Sequence, residues 1–126
     1  VNDQYSGVAP GTYQSRLQTI IASLEARLPK PYPAFILNML PARTNQASFT
    51  YPWSEYVAAA YNVAAADTSG PASTSLVAVM DFTAAPSMPG ADTDVYGFWQ
   101  ARDLVHPTNK GHQRIADCLA QFLTVD

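Results

Sequence analysis

Apolar residues recur at Tyr13, Leu17, Ile20, Ile21, Leu24 and Leu28. That is the i, i+3, i+4 spacing of an amphipathic helix, opened by Pro10-Gly11-Thr12 and stopped by Pro29. The run Ala34-Phe35-Ile36-Leu37-Asn38-Met39-Leu40, between Pro33 and Pro41, is too short for a free-standing helix and predicts a strand buried on both faces. A polar loop follows. Pro52 through Ala66 predicts a second helix, with proline at an early position, alanines supplying propensity, and Trp53, Val57, Ala60, Tyr61 and Ala64 along one side. Thr68 to Ser75 has the Ser, Thr, Gly and Pro of a turn. Leu76-Val77-Ala78-Val79-Met80 predicts a second buried strand, closed by Asp81. Phe82 to Arg102 has no clean period, and an irregular stretch of that length inside a compact domain is usually functional. Thr108 then caps a last helix reaching Leu123, with Ile115, Leu119, Phe122 and Leu123 on one face.

Helix, strand, helix, strand, helix is an α/β order, and strands without alternation imply a parallel sheet covered by helices on both faces. Two strands make a poor parallel sheet, so further strands are expected from outside this chain. Composition narrows the function classes. At 126 residues the chain is one domain at most, and 48% hydrophobic residues suffice for a core. Seven basic residues against ten acidic, with no basic run, argue against a nucleic-acid partner. No apolar stretch reaches the length of a membrane span, and the first residues lack the layout of a signal peptide. Cys118 is the one cysteine, which excludes an intrachain disulfide and leaves the compartment open, with an extracellular setting slightly preferred.

The sharpest local feature is Asp103-Leu104-Val105-His106-Pro107-Thr108-Asn109-Lys110-Gly111-His112. An Asp three residues before a His can bond one imidazole nitrogen, fix the tautomer, and leave the other nitrogen to take a proton from a hydroxyl. Asp103, His106 and His112 together raise a metal site as a rival, but no fourth ligand and no zinc spacing accompany them. No metal or cofactor is expected. Tyr96, Phe98 and Trp99 precede Asp103 and are candidates either for the rim of an acyl or sugar pocket or for the anchoring core of the loop. Arg43 falls after the first strand, at the sheet edge where open α/β folds bind ligands.

Asp-x-x-His-Pro-x-x-x-Gly followed by an apolar helix resembles the last motif block of the SGNH/GDSL hydrolases. Val1-Asn2-Asp3 resembles the tail of that family's Gly-x-Asn-Asp block, and the element order between the two ends matches the second half of the family over essentially the whole chain. The resemblance implies the C-terminal part of a single domain over 1–126, a three-layer α/β/α flavodoxin-like fold whose N-terminal strands are missing from this chain. It also implies His106 as general base and then acid, Asp103 as its orienter, and the Asn2 amide as an oxyanion donor. The activity implied is hydrolysis of carboxylic esters, preferably a small or acetylated-sugar ester, through an acyl-enzyme. None of the serines sits in a Gly-Asp-Ser or Gly-x-Ser-x-Gly setting. The nucleophile is therefore expected on an N-terminal segment or chain, and this chain alone is expected to be inactive. A non-catalytic carbohydrate-binding or structural domain of the same fold is the alternative.

Overall fold

Residues 2–29, 34–39, 49–69, 77–82, 88–89, 94–101 and 106–123 are described by a computed structural model. Along them run α1 (Asn2–Tyr5), α2 (Pro10–Glu25), β1 (Phe35–Met39), α3 (Trp53–Ser69), β2 (Val77–Asp81) and α4 (Asn109–Leu123). The strands pair as a small two-stranded parallel sheet, so the architecture is mixed α/β. Among the described residues no helix is long and apolar enough to cross a membrane.

The chain divides into two units, one of Val1–Leu37 with Ala47–Val79, the other of Asn38–Gln46 with Met80–Asp126. In the first, α2 begins at Pro10, whose missing N–H belongs to a position with no intrahelical partner anyway. Its hydrogen bonding persists past Glu25, since Ala26 N–H reaches Ala22 O and Leu28 N–H reaches Leu24 O. The helix itself ends at Glu25, short of Leu28, and of the apolar positions in its period Ile21 is buried while Ile20, Leu24 and Leu28 are exposed. α2 packs on α3, and Ile21, Val63 and Val77 form a buried cluster supported by Leu17, Phe35, Leu37 and Ala64.

Two expectations about faces are corrected. Of the side read from Trp53, Val57, Ala60, Tyr61 and Ala64, Tyr61 turns outward at 47% exposed, whereas Tyr56, outside that set, is 1% exposed. The buried stripe is Trp53, Tyr56, Ala59, Ala60 and Val63, which lets α2 approach across small alanines. β1 is not sealed on both faces among the described residues: Phe35, Ile36 and Leu37 are half-buried and Asn38 is exposed. The second unit buries Met39, Met80, Phe82, Met88, Trp99 and Cys118. Phe82 N–H donates to Met39 O and Met88 N–H to Phe82 O, tying the chain after β2 to the end of β1.

Candidate active site

The segment carrying His106 is built from Asp94 onward. The Asp94 carboxylate accepts the N–H of Tyr96 at 3.0 Å through Oδ1 and of Trp99 at 2.9 Å through Oδ2. An Asp side chain folding the backbone ahead of it is a common turn device, and here it needs Gly97 at φ +74°, a region in which L side chains are strained. Trp99 is buried, and its indole Nε1–H donates to Pro89 O at 2.9 Å. Trp99 then pairs with Pro107 in an antiparallel bridge. Gln100 N–H donates to His106 O at 2.9 Å and Thr108 N–H to Phe98 O at 2.7 Å, while Gln100 Nε2 reaches Pro107 O at 3.3 Å. The backbone at residues 106–108 is therefore fixed by amide bonds to residues 98–100, and the His106 side chain is exposed.

The same segment starts α4. Thr108 Oγ1 accepts the Gly111 N–H at 3.1 Å, the bond of an N-cap to the third helical residue. Its hydroxyl proton points to Gly97 O at 2.8 Å. Gly111 has a steric reason to be glycine: a Cβ there would lie 2.1 Å from Phe98 O and 3.0 Å from the Pro107 Cβ. The His-Pro-x-x-x-Gly spacing thus lets the first turn of α4 press on the carbonyl that also receives Thr108 N–H.

In the first unit, α1 brings Asn2 into the structure at its first residue; the Asn2 side chain lies outside what is described. What holds α1 is clear from its neighbours. Buried Gln4 donates through Nε2 to Tyr51 O at 3.1 Å. Val8 N–H donates to Asp3 O, and the Tyr56 hydroxyl donates to Val8 O at 2.5 Å. Asp3 pairs with Arg16 at 2.9 Å, an exposed ion pair that contributes little. Tyr56 is stacked on Trp53 and meets Tyr13 edge-on. Burial pushes the phenols of Tyr13 and Tyr56 above their ordinary value, and the Asp3 charge adds to the rise at both.

Of the residues singled out from sequence, Asp103 and Arg43 lie outside the described residues. His106 belongs to the second unit and Asn2 to the first. The three aromatics have separate fates: Trp99 is loop-anchoring core, whereas Tyr96 and Phe98 are stacked at 5.4 Å and line a cleft of about 410 Å³ with Pro89 and Arg114. His112 is exposed on the first turn of α4. Among the described residues, no group of three or more His, Cys, Asp or Glu could hold a metal ion. Sequence reasoning missed Asp94 as the organiser of the loop and Arg114 as a cleft residue. The signal for Arg114 was its spacing of four from Lys110, which puts both cations on one face of the helix. No family model, curated protein or solved structure matches this chain.

Proposed function

We propose that this chain supplies the general-base loop and an oxyanion donor of a serine ester hydrolase of the SGNH kind. In this reading the fold is three-layered and flavodoxin-like, and the nucleophilic serine comes from a segment or chain outside these 126 residues. The serine attacks the ester carbonyl and His106 Nε2 takes its proton, with Asp103 holding the other ring nitrogen. The Asn2 amide donates to the oxyanion, an interaction that meets charge only as it develops. His106 then returns the proton to the leaving alcohol, and a water deprotonated by His106 releases the acid. A short acyl or acetyl ester, on a carbohydrate, is the substrate class.

The observation that supports this best is the presentation of His106: backbone tied at residues 106–108, side chain exposed, and the following turn locked by Thr108 and Gly111. A general base must be held to a fraction of an ångström, and the backbone bonds at residues 106–108 supply the fixed end that this requires. The test is denaturing intact-mass analysis of the purified protein before and after a fluorophosphonate that labels activated serines. An adduct on a copurifying polypeptide, abolished by His106→Ala, supports the split site. A copurifying polypeptide that stays unlabelled in material that hydrolyses no aryl acetate overturns it.

A further inference from the structure

We propose that the cleft lined by Pro89, Tyr96, Phe98 and Arg114 binds a sugar ring bearing a carboxylate, a uronic acid, with the ring on Tyr96 and the carboxylate on Arg114. The cleft encloses about 410 Å³, within the ~300–1,000 Å³ that small-molecule sites occupy.

Its floor is an aromatic platform. Tyr96 is 58% exposed and rests on the Phe98 ring at 5.4 Å and 26°. The backbone that carries it is fixed on both sides, its N–H by Asp94 Oδ1 and its carbonyl by Lys110 Nζ at 2.8 Å. A rigid aromatic face loses little entropy on binding, and the C–H face of a pyranose matches it while leaving the sugar hydroxyls at the wet rim.

Charge decides the second half of the ligand. Arg114 is half-buried, so its charge is screened less than a fully exposed one, and its planar fork suits a carboxylate in a bidentate arrangement. With five donors the guanidinium can keep a protein contact and still serve a ligand. Lys110 lies 5.7 Å from the Phe98 ring centre and adds positive potential on the same helix face. Among the described residues of the loop Asp94 is the acid, each of its oxygens accepting a backbone N–H, against two cations, Arg114 and Lys110. An anion is therefore favoured over a cation, and a polar ring over a lipid tail, which would have to desolvate Arg114 without compensating it.

Among the described residues its lining does not include His106, so the two readings can be tested separately. The experiment is titration of the full chain, by saturation-transfer NMR, with methyl glucuronoside, methyl glucoside and glucose phosphate. The glucuronoside is expected to bind about tenfold more tightly than the glucoside, the worth of one charge-assisted hydrogen bond. Arg114→Gln removes that preference, Arg114→Lys keeps part of it, and Tyr96→Ala weakens both glycosides. His106→Ala leaves all of these affinities unchanged, so a dead esterase does not sink the binding site. Equal binding of the two glycosides, tighter binding of the phosphate than of the glucuronoside, or a preference that survives Arg114→Gln overturns the assignment.

Discussion

Around Tyr56, order comes from rings and small apolar side chains: Trp53 stacked on it, Tyr13 against its edge, and Ala59, Ala60 and Val63 buried along the same helix. Around His106 it comes from amides, one carboxylate, one hydroxyl and one missing methyl group, supplied by Gln100, Asp94, Thr108 and Gly111. Apolar burial is additive and non-directional, so the first region loses stability by increments when trimmed. Directional bonds and a steric fit fail more abruptly, and they are what a group that must aim its side chain requires. Around Tyr56 packing sets the structure; in the loop single atoms decide.

That contrast can be broken at several points, and the largest effect is on chemistry. On the proposed reading, His106→Ala lowers ester turnover of the chain assembled with its serine-bearing segment by about 10²–10⁴-fold, the usual worth of a general base. Because the side chain is exposed, its urea midpoint should barely move. Turnover assays beside denaturation curves check both halves. Next in size is Gly111→Val, which puts a side chain onto Phe98 O and should cost about 1–3 kcal/mol while displacing the loop. Trp99 fluorescence and the urea midpoint read the displacement and the cost, and a variant as stable as the parent would remove Gly111 from the account.

In the helical unit, Tyr56→Phe keeps the ring and leaves Val8 O without its hydroxyl donor, an expected loss of about 1–2 kcal/mol by chemical denaturation. The same residue has a pH signature. Its native pKa is raised by burial and then by the charges of Asp3, Tyr51 and Glu55, so the folded state holds the proton more tightly than the unfolded chain. Stability from this source is intact below the unfolded value of 10.0 and falls as pH rises beyond it through the native pKa. Melting temperatures taken across that range should drop, and drop less in Tyr56→Phe. The smallest effect is expected at Ile20, 55% exposed on α2: Ile20→Ser should stay within about 0.5 kcal/mol of the parent in the same assay. A larger loss there would show that the open side of α2 is covered in the working protein.

Local rules made much of this legible in advance. The helix start at Pro10, the cap at Thr108 and the two short strands follow from residues a few positions apart, and caps, breakers and apolar runs act over that range. The His-Pro-x-x-x-Gly pattern was likewise visible, but the reason for its glycine was not, because the atom it must avoid belongs to Phe98, thirteen residues earlier. In the alanine-rich third helix two stripes compete, Val57 with Tyr61 and Tyr56 with Val63, and periodicity cannot rank them. Packing by α2 does, burying Tyr56 and leaving Tyr61 out.

By itself, then, the sequence determined the order of elements from Pro10 onward, though not the short α1 before it, and which short segment carries an Asp three residues before a His. The tertiary structure decided which faces turn inward, that Trp99 anchors the loop while Tyr96 stays out, and that Arg114 joins the cleft. Elements form from near neighbours; faces and sites depend on partners distant in sequence, whose contacts no local pattern records.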